Sequence, residues 1–226
     1  DESIAMSDSA LKLDPNKAEV LVNKADALSN VAKFEEALEL YAQSTTINPY
    51  LIDGYIGWGI TLNRIAKPQM ALEKFAKVIE INPNLDKGYF FLGSTYADMD
   101  MFEEALAAYR KTYELNPFHE DNILNMAIAY NKLGDTDMAL QKLFEIRKIR
   151  PDSLSVNFFI ASAYSQCEQF EEALQYYDKA LDINPNHIET YVNSAIALSQ
   201  RKRIDEAIRK IRNCIKLAPN APNVQF

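Results

Sequence analysis

Glycine is scarce in this sequence, with six in 226 residues. A phosphate-cradling loop of the Gly-x-x-x-x-Gly-Lys type and a Gly-x-Ser-x-Gly nucleophile turn both need closely spaced glycines, and neither string occurs. Cysteine is scarcer still. Cys167 and Cys214 are too few for a disulfide framework, so a reduced, cytoplasmic setting is expected. The two histidines, His119 and His187, stand far apart in the chain and are expected to be polar loop residues rather than metal ligands. No apolar run approaches the roughly 18 residues of a membrane span, so no membrane insertion is expected. The chain opens Asp1-Glu2-Ser3, without the basic and apolar stretches of a secretory leader. Positive charge is also in deficit: 24 Lys and Arg face 32 Asp and Glu, a net charge of -8. Such a surface repels phosphate backbones, which argues against nucleic acid as a partner.

Apolar residues, by contrast, make up 48% of the chain, enough for a substantial core. Proline sets the organisation. Pro15, Pro49, Pro83, Pro117, Pro151, Pro185 and Pro219 follow one another at intervals of 34 residues, and only Pro68 and Pro222 fall off that grid. With the grid proline placed at position 32 of a repeat, other columns emerge. Position 20 is Ala37, Ala71, Ala105, Ala139, Ala173 and Ala207. Position 8 is Ala25, Gly59, Gly93, Ala127, Ala161 and Ala195, and position 24 is Tyr41, Phe75, Tyr109, Leu143, Tyr177 and Ile211.

These columns describe two helices joined by a tight turn. Small residues at 8 and 20 let the helices cross closely, and the large residue at 24 fills the space between neighbouring pairs. The proline ends the second helix. Pro68 belongs at the first turn of a second helix, where its missing N–H costs nothing. Phe34-Glu35-Glu36, Phe102-Glu103-Glu104 and Phe170-Glu171-Glu172 open three second helices, with acidic pairs at the positive end of the helix dipole.

Together these columns resemble the tetratricopeptide repeat family over essentially the whole chain. The resemblance implies an all-α fold, a right-handed α-solenoid of antiparallel helix pairs with a 34-residue period. Six full repeats are expected at 18–51, 52–85, 86–119, 120–153, 154–187 and 188–221, as one solenoid domain. Residues 1–17 match the second helix of a truncated repeat, and 222–226 the start of a further helix. The chain is therefore expected to be an excerpt of a longer protein, or to stack through open ends as a homo-oligomer. Two departures stand out. The family's turn glycine at position 15 survives only as Gly134, and the usually apolar position 7 holds Lys24 and Ser194. Those two hairpins are expected to be looser, or to meet something outside this chain.

The resemblance also implies no catalytic centre and no cofactor. Its first helices would line a concave groove that binds a protein or peptide ligand. The candidate residues are Asn23, Ile56, Ile60, Lys87, Phe90, Phe91, Asn125, Asn131, Phe158, Phe159 and Asn193. Asparagine can both donate to and accept from a peptide backbone, and the phenylalanine pairs offer apolar anchor points. Successive residues on a helix diverge by about 100°, so one member of each Phe pair is expected to face the groove. A subclass that grips the C-terminal carboxylate of heat-shock chaperones needs a cation cluster. Here position 5 is never Lys and position 6 never Arg, and Lys87 matches alone. The leading expectation is an interaction scaffold. The others are the substrate-targeting arm of a larger enzyme, such as a glycosyltransferase, and a self-assembling scaffold subunit.

Overall fold

The computed structural model describes residues 2–217; Pro219 and the helix start expected at 222–226 lie outside them. Thirteen helices and no strand occur among the described residues. The first, α1, is Glu2–Leu13. Six antiparallel pairs follow: α2 (Ala18–Asn30) with α3 (Phe34–Ile47), α4 (Ile52–Arg64) with α5 (Pro68–Ile81), α6 (Asp86–Asp98) with α7 (Phe102–Leu115), α8 (Glu120–Lys132) with α9 (Thr136–Ile149), α10 (Leu154–Gln166) with α11 (Phe170–Ile183), and α12 (Ile188–Gln200) with α13 (Ile204–Leu217). First helices begin 34 residues apart, and so do second helices. The fold is an all-α solenoid of helix pairs. It divides into two compact units, one ending at His119 and one beginning at Glu120.

The turns explain the stride. Each first helix ends in a Schellman motif, in which Lys33 N–H reaches Leu28 O at 2.9 Å and Ala32 N–H reaches Ser29 O at 3.2 Å. The motif requires a left-handed residue at position 15. All six such residues adopt it: Ala32, Ala66, Asp100, Glu168 and Lys202 with φ of 56–60°, and Gly134 with φ 82°. Five side chains therefore sit where glycine would be less strained, and the helix packing on either side holds them there. Second helices end differently. The Oδ1 atoms of Asn48, Asn82, Asn116 and Asn184 each accept the backbone N–H two residues on, at 3.0–3.2 Å, across the grid proline. Pro68 is the first residue of α5, as its missing N–H allows.

Packing within each pair follows the columns. Ala37, Ala71, Ala105, Ala139 and Ala173 are fully buried. A Cβ on Gly59 would lie 2.5 Å from the Phe75 ring, and one on Gly93 would lie 2.7 Å from Tyr109. The position-24 side chains Tyr41, Phe75, Tyr109, Leu143 and Tyr177 are buried beneath these crossings. Each contributes on the order of 1.5–3 kcal/mol.

A finer period overlies this one. In alternate repeats position 24 is Tyr, and its hydroxyl meets a polar residue at position 9, fifteen residues earlier: Asp26 at 2.5 Å, Ser94 at 3.4 Å and Ser162 at 3.5 Å. In the intervening repeats both positions are apolar: Ile60 with Phe75, Ile128 with Leu143, Ile196 with Ile211. Phe34, Phe102 and Phe170, with their acidic pairs, follow the same 68-residue step. So do Phe90 and Phe158 with His119 and His187, whose rings lie 4.4 and 5.4 Å apart, respectively.

Position 7 behaves differently from expectation at one of its two sites. Lys24 Nζ lies 2.6 Å from Asp8 Oδ1 on α1, so its partner is inside the chain. Ser194 is fully buried, and its Oγ has no hydrogen-bond partner among the described residues.

Candidate peptide-binding clefts

Each unit carries a cleft on its first-helix face. In the first unit it is lined by Glu19, Val22, Asn23 and Asp26 of α2, by Leu51, and by Asp53, Ile56, Gly57 and Ile60 of α4. In the second unit Asn131 of α8, Ser162, Ser165 and Gln166 of α10, Tyr177 of α11, and Asn193 and Ile196 of α12 line the other. Each encloses about 270 Å³. That is just under the size of a small-molecule pocket, and suits single side chains of a longer ligand.

The two clefts share three repeat positions. Asp26 and Ser162 both sit at position 9 of a tyrosine-bearing repeat. Gly57 and Asn193 are both position 6 of the next repeat, and Ile60 and Ile196 are both position 9 of it. A tyrosine hydroxyl therefore underlies each cleft.

Their chemistry differs. In the first cleft Tyr41 donates to Asp26 Oδ1 at 2.5 Å. Burial pushes the Asp26 carboxyl above its ordinary value of 3.8; the Tyr41 hydrogen bond opposes this, and the charge of Asp53 adds to it. Burial, then the Asp26 carboxylate, pushes the Tyr41 hydroxyl far up, so it remains a donor. The second cleft is lined by neutral groups. Burial raises Tyr177, opposed by hydrogen bonds with Ser162, Ser165 and Asn193. Gln166 Nε2 donates to the Asn131 backbone carbonyl at 3.0 Å, while Asn131 Oδ1 is buried without a partner among the described residues.

Of the residues singled out from sequence, Asn23, Ile56 and Ile60 come together in the first cleft, and Asn131 and Asn193 in the second. The other six line neither. Lys87 is exposed in the first turn of α6, and Asn125 is half-buried on α8. The phenylalanines are half-buried. Phe91 stacks on Phe75, centroids 5.4 Å apart, and Phe90 lies against His119 and Tyr109. Phe158 contacts Tyr177 and His187, and Phe159 contacts Phe158. Sequence reasoning did not single out Asp26, Asp53, Gly57, Ser162 or Tyr177. The signal was present in the joint alternation of positions 9 and 24.

Models of the tetratricopeptide repeat match residues 18–50, 86–119, 158–187 and 176–209, which together span over half of the sequence. The chain belongs to the tetratricopeptide repeat family. No curated protein sequence matches it. Solved tetratricopeptide structures share its fold at low identity. The APC/C hetero-tetramer Cut9–Hcn1 superposes with a TM-score of 0.79 at 15% identity, over 99% of this chain and 44% of that one. The chain thus spans less than half the length of that relative. PilF of Pseudomonas aeruginosa gives 0.77 at 14% identity, over 92% of this chain and 95% of its own. YrrB, a tetratricopeptide protein with an unusual peptide-binding site, gives 0.65 at 17% identity, over 81% and 95%. No helix among the described residues is long and apolar enough to cross a membrane.

Proposed function

We propose that this tetratricopeptide chain is a protein-interaction scaffold, not a catalyst, and that it holds a peptide or helical segment of a partner against its first-helix face. The observation that carries this reading is the recurrence of one cleft design in both units. Each cleft sets hydrogen-bonding groups beside isoleucine over a buried tyrosine hydroxyl, Ile56 and Ile60 in the first and Ile196 alone in the second, and each is the size of a side chain. Aliphatic contact supplies affinity, and the amides Asn23, Asn131 and Asn193 can hold a peptide backbone of any sequence. Other first-helix residues accompany the cleft in each unit: Phe90 and Phe91 of α6 in the first, and Asn125 of α8 with Phe158 and Phe159 of α10 in the second. The exposed free thiol of Cys167 suits a reducing, cytoplasmic setting.

The test is selection of a random linear-peptide display library on the immobilised chain, followed by titration of the enriched peptides. The Asn125→Ala/Asn193→Ala double variant is expected to bind them about tenfold more weakly with unchanged helical circular dichroism. Peptides that bind the double variant as tightly as the parent chain would remove those amides from the binding face.

A further inference from the structure

The first unit's cleft differs from its counterpart in a way that names its ligand chemistry. Three carboxylates line it: Glu19, Asp26 and Asp53. No cation lines it, and neither Glu19 nor Asp53 has an ion-pair partner among the described residues. Arg64 is close enough to act weakly on Asp26, but its Nη1 is engaged by Ser29 O, Ser29 Oγ and Asn30 Oδ1 at 3.1–3.3 Å. In the second cleft Ser162 takes the place of Asp26, and no carboxylate lines it. Ser155 and Glu189, the repeat equivalents of Glu19 and Asp53, lie outside its lining, with Glu189 3.3 Å from His187 Nε2.

Shape agrees with charge. A Cβ on Gly57 would fall 2.7 Å from the Tyr41 ring and 2.8 Å from Asp26 Oδ1. The absence of a side chain there leaves the Asp26–Tyr41 pair open to the cleft. At the equivalent place in the second cleft, the Asn193 side chain hydrogen-bonds Tyr177. The Tyr41 hydroxyl fixes Oδ1, so the carboxylate is oriented before any ligand arrives, and its other oxygen is available to accept. Val22, Leu51, Ile56 and Ile60 give the cleft aliphatic walls, which suit the methylene stem of a long cationic side chain. A cation delivered there meets one fixed carboxylate and two at the rim. The chain's net charge of -8 attracts it from a distance.

We propose that the cleft between α2 and α4 receives a lysine or arginine side chain of the bound segment. This rests on the scaffold reading above and adds a basic anchor to the ligand.

The experiment repeats the peptide selection on the chain, on Asp26→Asn and on Asp53→Asn, with helicity checked for each. Asp26→Asn keeps an acceptor for Tyr41, and Asp53 is exposed, so neither change disturbs the core. The parent chain is expected to enrich peptides with Lys or Arg at one fixed place. Asp26→Asn is expected to lose that preference while keeping the apolar places of the motif, and to bind the parent-selected peptides about tenfold more weakly. Asp53→Asn is expected to shift affinity less, and more at low salt than at high. An enriched motif without a basic place, or with one indifferent to both substitutions, overturns the basic anchor and leaves the scaffold standing. Failure to enrich any peptide overturns both.

Discussion

Tyr41 and Asp26 lie on the two helices of one pair, and the tyrosine hydroxyl donates to the aspartate Oδ1 across 2.5 Å. The tyrosine ring is buried and the aspartate opens onto a cleft, so the contact links the core of the first unit to that cleft.

Removing the donor tests that link. Tyr41→Phe leaves a carboxylate without its partner and is expected to cost about 1.5–3 kcal/mol, as for hydrogen bonds to charged groups. Ser94→Ala is expected to cost less, because it removes a neutral hydroxyl that lies 3.4 Å from Tyr109. The single tryptophan, Trp58, packs among buried residues of the first unit and reports its unfolding by fluorescence in urea. Equal losses for the two variants would contradict the special weight given to Asp26.

The Asp26 carboxyl also sets a pH dependence. Its folded pKa lies above 3.8, so the folded state holds this proton more tightly than the unfolded state does. The stability this group confers is complete below 3.8 and declines as pH rises through the raised value. Asp26→Asn lacks that decline. The stability of the parent chain relative to the variant is therefore expected to fall from acid toward neutral pH. A difference that stays flat, read from urea midpoints at each pH, would rule out the raised carboxyl.

Five non-glycine residues at position 15 hold left-handed backbone. Ala66→Gly and Glu168→Gly are each expected to stabilise the chain by about 1 kcal/mol, and Gly134→Ala to destabilise it by a similar amount. Thermal melts of the three variants should show midpoints moving up, up and down. A loss on introducing either glycine would place the strain elsewhere.

Gly59 behaves oppositely to Ala66, although both are small helix-pair residues. Gly59→Ala gains about 1 kcal/mol of helix propensity but drives a methyl against the buried Phe75 ring. Overpacking of that kind costs about 1–3 kcal/mol, so net destabilisation is expected in the same urea assay. The double variant Gly59→Ala/Phe75→Leu, which shortens the ring side chain, should recover part of the loss.

Much of this architecture was legible in the sequence, because a repeat reports the same physical constraint several times. The prolines gave the stride, and Ala37, Ala71 and their equivalents gave the crossing. Position 15 was harder. Its missing glycines suggested departure from the family turn, yet every one of those residues adopts the left-handed geometry, since neighbouring helices impose it. Lys24 was misleading for a similar reason. A charge at an apolar position suggested a looser hairpin or an outside partner; Asp8 of α1 meets it within the chain. Among the residues that line the clefts, Asn23, Ile60 and Asn193 were expected from their columns. Asp26 and Gly57 did not, because their significance lies in pairings: Asp26 with the tyrosine fifteen residues on, Gly57 with the tyrosine sixteen back.

Those pairings constrain how such a chain can change in length. Tyr41 leaves room only for Gly57 in the next hairpin, Tyr177 hydrogen-bonds Asn193, and Phe75 stacks on Phe91. Excising the second hairpin alone would bring Phe91 to the place where the Tyr41 ring leaves no room for a Cβ, and excising the second and third together would bring Asn125 there. A change of length in whole hairpins is therefore limited by which side chain each position-24 residue meets next, and the junction after Tyr41 is the one that tolerates no exchange.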